Sequence, residues 1–292
     1  MNEIAIVILS YTRPREVKKL IELCKKINFE KIYVCVDGNI KESIQNEFLK
    51  LKKEYEDVIF YIRKDNLGIR YGITDFIEKI FENEEASIFI EEDLNLNSNS
   101  LDFLVKNLYK HAENDDISSI CLFSPLSLNT KYKNESNYLT LNFFPTGWAS
   151  WKNRGVELNI LQNENYFTIL KVLTKLFKFR IIKILFWFKR FYDYKKFKVD
   201  AWSYNHIYKN FKYNQYSIIP KNNLVTHEIF DEFSVNMFNK KIGIYNKQKL
   251  FNMEHSAIYS EFDKRKFIIE TELMYSLNLR GILKKIEKKI FR

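Results

Sequence analysis

Three consecutive carboxylates, Glu91-Glu92-Asp93, close a run of apolar, β-prone residues, Ile88-Phe89-Ile90. Ending a buried strand in concentrated negative charge is unfavourable unless a cation compensates it. Mg2+ or Mn2+ fits that role through its preference for carboxylate oxygens, and such an ion often brings a diphosphate with it. The chemistry to expect is then that of an enzyme handling a nucleotide. The alternative is a solvated acidic turn.

The elements around the triplet give it a setting. Ile4–Leu9 (IAIVIL) reads as a fully buried strand, and Pro14 opens a helix whose apolar face is Val17, Leu20, Ile21, Cys24 and Ile27. Strands are expected at Ile32–Val36, Val58–Ile62, Ser87–Ile90 and Ile117–Phe123, with helices over 41–54, around Thr74–Phe81 and over about 100–112. Strands alternating with amphipathic helices predict a mostly parallel, doubly wound sheet, in which ligands bind beyond the carboxyl ends of the strands. Those ends carry Ser10-Tyr11-Thr12-Arg13, Asp37-Gly38, Arg63-Lys64-Asp65-Asn66 and the acidic triplet. Polar groups from four strands thus converge on one rim.

After residue 125 the alternation stops. Phe143 to Trp151 reads as an aromatic, turn-containing segment, and residues 165–198 as one long basic, aromatic helix. A helix over 203–211 and a strand over Tyr216–Ile219 follow. No repeat or flexible linker is visible, so the two halves are expected to form one compact body.

Composition excludes several classes. The 292 residues are 46% hydrophobic, enough for a substantial core, while only seven Gly and four Pro argue against a turn-rich all-β protein. The three cysteines, Cys24, Cys35 and Cys121, lie in apolar stretches without metal-ligand spacing and read as buried thiols of a reducing compartment. No signal peptide and no run of 18 uncharged apolar residues is seen, so a cytoplasmic protein is expected, with association at the inner face of the plasma membrane as an option. Neither Gly-x-Gly-x-x-Gly nor a Gly-Lys-Ser/Thr phosphate loop is present, which disfavours dinucleotide enzymes, kinases and NTPases. The net charge of +10 is concentrated: residues 165–199 hold ten Lys or Arg against the single acid Asp193, and the tail from Lys284 to Arg292 holds five bases against Glu287. An anionic membrane surface or anionic substrate fits this charge. No nucleic-acid module is recognisable, so nucleic acid is not an expected partner.

Several segments resemble those of family 2-type GT-A glycosyltransferases: "IAIVILSYTRP", "VCVDG", "RKDNLGIRYG" and "IFIEEDL". Their order also resembles that of N-acetylglucosaminyltransferases acting on protein-linked glycans and of their bacterial relatives. Those carry an acidic triplet, then a Gly-Trp-Ala-x-Trp segment, an Asp-x-Trp element and a Pro-x-x-Asn-Leu-Val stretch. Here these are Gly147-Trp148-Ala149-Ser150-Trp151, Asp200-Ala201-Trp202 and Pro220-Lys221-Asn222-Asn223-Leu224-Val225. The resemblance covers roughly residues 4–230 and departs from the pattern in carrying Glu at 92.

What the resemblance implies is a GT-A fold, α/β with a mostly parallel central sheet, flanking helices and a helical acceptor region. Residues 1–125 would form the nucleotide-sugar half and 126–292 the acceptor-binding and C-terminal half. Asp93, the last acid of the triplet, would hold Mn2+ or Mg2+, with His227 as a late ligand to metal or pyrophosphate. Ser10, Tyr11, Thr12 and Arg13 would contact base and ribose, and Asp37 the base. Glu91, Glu92 and Trp148 would lie around the donor, and the Asn66–Gly68 loop with Arg70 would face the diphosphate. Asp200 would be the base that takes the acceptor proton in an inverting transfer, with Glu228, Asp231 and Glu232 as rivals. Each residue has a plainer reading: a turn at Asp37-Gly38, a helix cap at Asp200, a structural histidine at 227.

The implied reaction moves a sugar from a nucleoside diphosphate sugar, UDP-linked by expectation, to a bacterial surface glycan or lipid-linked glycan. The competing readings are a nucleotidyltransferase on a similar sheet, disfavoured by the absence of Gly from Ser10–Pro14, and a non-catalytic basic binding protein. The 165–198 segment reads either as a helix packed on the sheet or as an interfacial helix on anionic lipid; the 282–292 tail invites the same pair of readings.

Overall fold

In a computed structural model the described residues are 4–124, 137–155, 159–178 and 180–227. The expected Glu228, Asp231 and Glu232 rivals and the 282–292 tail lie outside them. The first half opens with three strand–helix repeats and a fourth strand: β1 (Ala5–Ser10), α1 (Pro14–Lys26), β2 (Ile32–Val36), α2 (Glu42–Glu54), β3 (Ile59–Ile62), α3 (Gly68–Asn83) and β4 (Ala86–Glu91). Short β5 (Leu94–Asn95), α4 (Ser98–Lys110) and β6 (Ile117–Cys121) complete it. The second half supplies β7 (Asn137–Thr140), β8 (Trp148–Trp151), α5 (Ile160–Asn163), α6 (Tyr166–Phe177), α7 (Ile181–Lys195), α8 (Ser203–Tyr213), β9 (Tyr216–Pro220) and β10 (Thr226–His227).

Eight strands join in the order β3-β2-β1-β4-β8-β6-β9-β7. β3, β2, β1 and β4 are mutually parallel, and β6 and β9 are parallel to each other, while β8 runs antiparallel between β4 and β6 and β7 is antiparallel to β9. The mostly parallel sheet is as the alternation predicts. Strands from either side of residue 125 share it. Ile6, Val7, Ile8, Val34, Ile88, Phe89 and Ile90 have no solvent exposure, so the inner strands are covered on both faces, which is why they read as continuous apolar runs.

Two expectations are refined. The turn-containing Phe143–Trp151 segment also supplies a strand: after Gly147 (φ +65°) its last four residues enter the sheet as β8, buried throughout. The Trp148 ring stacks on Phe89 at 4.5 Å and meets Phe143 at 5.0 Å and Trp202 at 5.3 Å. His206 is sealed in the same cluster, 4.1 Å from Phe143, and burial holds its pKa well below the ordinary value. The second expectation concerns residues 165–198, which form two helices. Lys178 takes a positive φ of 51° and ends α6, and α7 begins at Ile181. One unbroken helix of that length would extend about 50 Å, well past the sheet. Folding back lets Leu173 and Phe177 of α6 and Ile184, Trp187 and Phe191 of α7 share one buried surface, with Trp187 and Phe177 at 5.0 and 5.6 Å from Phe211 of α8.

Burial raises all three cysteine thiols, Cys24 and Cys121 up to about 12. No described helix is long and apolar enough to cross a membrane. Trp148→Ala should destabilise the fold by about 3–5 kcal/mol in chemical denaturation, as for other large buried aromatics; a loss under about 1 kcal/mol, within the range of surface substitutions, would remove Trp148 from the core.

Candidate functional site

The acidic triplet divides its labour. Glu92 turns back onto the loop after β1. Its carboxylate accepts hydrogen bonds from the Ser10 hydroxyl, from the backbone N–H groups of Tyr11 (3.0 Å), Thr12 (3.2 Å) and Arg13 (3.1 Å), and pairs with the Arg13 guanidinium at 3.6 Å. Backbone amides gathered around an anion form a nest. Pro14 follows directly, so these N–H groups lie outside the helix ladder of α1 and need an acceptor. Glu92 is 7% exposed, with both oxygens engaged by this loop. In this structure it is the anchor that shapes Ser10–Arg13.

Asp93 turns the other way. β5 pairs antiparallel with β10, with His227 opposite Leu94 and Thr226 opposite Asn95. This register sets His227 Nδ1 3.4 Å from Asp93 Oδ2, across 134 positions of sequence. Two side chains that the sequence nominated separately are thereby brought together. Burial alone would lower the His227 pKa, but the hydrogen bond to Asp93 and the charges of Asp93 and Glu91 outweigh it, and the value is raised. Glu91 is pushed up to about 7, first by burial and then by Asp93, with His227 opposing.

His227 owes its place to the segment before it. Leu224 N–H donates to the Leu122 carbonyl at 3.1 Å, and the Ser100 hydroxyl donates to the Leu224 carbonyl at 2.7 Å. Asn223 bridges the Ser124 N–H (3.0 Å) and the Val225 carbonyl. Sequence reasoning quoted Asn223 only as part of a motif and did not single out Ser100. The signal for Ser100 was there: Asn97 and Ser100 form a capping box at the start of α4.

A second cluster lies at the ends of β2 and β3. Asp37 Oδ1 accepts from Gly38 N–H (3.0 Å), Arg63 Nη1 (3.2 Å) and Leu67 N–H (3.4 Å). Arg63 also donates to the Gly72 carbonyl at 2.9 Å, pairs with Asp75 and lies 3.5 Å over the Phe76 ring. Asn66 Oδ1 accepts from Gly68 N–H at 2.7 Å, and Gly68, at φ +73°, takes a conformation that suits glycine. Asp200 reaches this point from the second half. Its Oδ1 accepts from Arg70 N–H at 3.0 Å, and its Oδ2 lies 3.5 Å from where a Gly68 Cβ would stand. A carboxylate there complements the amino end of α3. Asp200 does cap a helix, but that helix is α3 and not the one starting at Ser203.

Two of the residues expected at the donor are engaged inside the body. Arg70 is 5% exposed and points into the body. It donates to the Tyr194 carbonyl (3.2 Å) and Gln162 Oε1 (2.9 Å), with its guanidinium 3.6 Å over the Tyr194 ring. It thus pairs with a carbonyl in the last turn of α7 and braces α3 against that helix. Trp148, 1% exposed, belongs to the core described above.

No three His, Cys, Asp or Glu side chains converge as a complete metal site among the described residues. Asp93 and His227 are nonetheless a donor pair suited to a divalent ion, carboxylate oxygen beside imidazole nitrogen.

No protein-family model matches this sequence, and no curated protein does either. Solved structures are similar to it in part. The GalNAc-T7 structure with UDP, GalNAc and Mn2+ is similar over 79% of this chain and 44% of that one, at 11% identity and a TM-score of 0.50. Staphylococcus aureus TarS in complex with UDP-GlcNAc is similar over 50% of this chain and 44% of that one, at 14% identity and a TM-score of 0.38. A cytidylyltransferase from Leptospira borgpetersenii matches 52% of this chain and 62% of its own, at 12% identity and a TM-score of 0.35. The chain thus spans about half the length of the chains it matches. The architecture is the GT-A fold.

In metal-free protein, followed by NMR, His227 should titrate above its ordinary 6.5, and Asp93→Asn should lower that value. Because the folded pKa exceeds the unfolded one, the pair contributes stability that is fully present below the ordinary histidine value and is lost as pH rises through the folded value. An unchanged titration in Asp93→Asn would dissolve the pair.

Proposed function

We propose that this protein is a glycosyltransferase that moves a sugar from a nucleoside diphosphate sugar, UDP-linked, to a hydroxyl of a glycan or lipid-carried glycan. The observation that supports the reading is the meeting of Asp93 with His227 where β4 of a GT-A sheet ends. That is the place where such sheets receive ligands.

The roles divide among this chain's residues. The Ser10–Arg13 loop, held by Glu92, and Asp37 receive the base and ribose. Asn66 and Gly68 shape the loop before α3 at the edge of the donor site, with the Gly68 and Arg70 amides already held by Asn66 and Asp200. Asp93 and His227 would hold Mn2+ or Mg2+, which when bound neutralises charge on the departing diphosphate. Asp200 takes the proton from the acceptor hydroxyl as that oxygen attacks the anomeric carbon on the face opposite the leaving group, so the transfer inverts. Glu91 adds to the field felt by the cation. The sugar is a hexose or an N-acetylhexosamine.

A nucleotidyltransferase would aim backbone amides of its first loop at a triphosphate. Here the Tyr11, Thr12 and Arg13 amides already have Glu92 as acceptor, which counts against that reading.

A thermal-shift panel of UDP-, GDP-, CMP- and dTDP-sugars, with and without Mn2+, tests the class. A UDP-selective, metal-dependent rise in Tm is expected, and Asp93→Ala should abolish its metal dependence. No rise with any nucleotide sugar would refute the proposal. Asp200→Asn keeps an acceptor for the Arg70 amide but cannot take a proton. Turnover should fall at least about a hundredfold while donor binding persists; near-normal turnover would move the base elsewhere.

A further inference from the structure

The α6–α7 hairpin has two apolar stripes. Its inner stripe is covered by α8 and the body. A water-exposed helix needs only one. The outer stripe is concentrated where α7 begins: Ile181, Ile182 and Leu185 are 66%, 64% and 61% exposed. They fall on one face of the first turn and a half, at the bend of the hairpin. Isolated exposed aliphatics are ordinary, but three neighbours on one turn form a patch.

The charge around that patch has one sign. Lys175, Lys178 and Arg180 lie on either side of the bend and are exposed. No Asp or Glu occurs from Asn165 to Tyr192. We infer that the tip of this hairpin is a docking element for an anionic lipid bilayer, with Ile181, Ile182 and Leu185 entering the interface while the basic side chains meet lipid phosphates. Aliphatic tips ringed by lysines suit that boundary, because the long basic side chains reach outward as the apolar groups descend. The inference does not depend on the transferase reading, since it uses no residue of the donor rim.

The test is co-flotation of the full chain with vesicles of phosphatidylcholine plus phosphatidylglycerol, or of phosphatidylcholine alone. Binding is expected only to the anionic vesicles and should weaken as salt rises. Ile181→Asp with Ile182→Asp should reduce it at least about tenfold while circular dichroism stays unchanged, both side chains being exposed. Lys175→Glu with Lys178→Glu, which keeps the apolar tip, should remove the preference for anionic lipid. Three results would overturn the inference: no flotation of the wild-type chain, flotation of the Ile181/Ile182 variant equal to wild type, or lipid-free self-association that the same variant abolishes. The last would make a second copy of the chain the occupant.

Discussion

Everything on the rim depends on where the Glu92 carboxylate goes. Burying a charge is strongly unfavourable unless hydrogen bonds and an opposite charge compensate it. Here a hydroxyl, three amides and a guanidinium do so. In return the loop after β1 acquires a single shape, and the end of β4 is tied to the end of β1 beyond their last ladder bond, Glu92 N–H to the Leu9 carbonyl at 3.0 Å. With Glu92 committed inward, its neighbours are left to bear the negative charge. Asp93 takes the His227 imidazole, and burial, reinforced by the Asp93 charge, pushes the Glu91 carboxyl up to about 7.

The second organising contact joins the two halves at α3. Asp200 takes the amide at the amino end of that helix, and Arg70, the residue that owns this amide, reaches back to the carbonyl of Tyr194 near the end of α7. Each half thus satisfies a helix end of the other. The Asn66–Gly68 loop, the start of α3 and the segment from Tyr194 to Asp200 are therefore positioned as one unit. In the proposed reaction that unit would set the general base relative to the donor.

Much of this was legible in the chain. Strands β1, β2 and β4 announce themselves as apolar runs, and the helices between them by periodicity, so the parallel sheet and the rim of polar strand ends could be read directly. Asp93 and His227 could be nominated through the resemblance of their segments to GT-A transferases. Their contact could not, because it rests on the register of two-residue strands 130 or so positions apart, which no local pattern encodes. Glu92, Arg70 and Trp148 illustrate the same limit. Residue type says that a carboxylate, guanidinium or indole needs a partner; it does not say whether the partner is a ligand or the protein itself. The break at Lys178 escaped because the apolar spacing continues across it, and only the size of the body that the helices must cover requires the turn.

The strand order also shapes how the polypeptide matures on the ribosome. β3, β2, β1 and β4 can pair once residue 91 has emerged, since their connections are local helices. The neighbour of β4, however, is β8, which arrives 57 positions later at Trp148–Trp151, and β6 waits for β9 at Tyr216–Pro220. A nascent chain halted between these points presents an unpaired β4 edge rich in isoleucine and phenylalanine, the kind of surface that recruits chaperones or seeds aggregation. Synthesis of this protein is thus most exposed to misassembly midway, before its tryptophan-bearing strand closes the sheet.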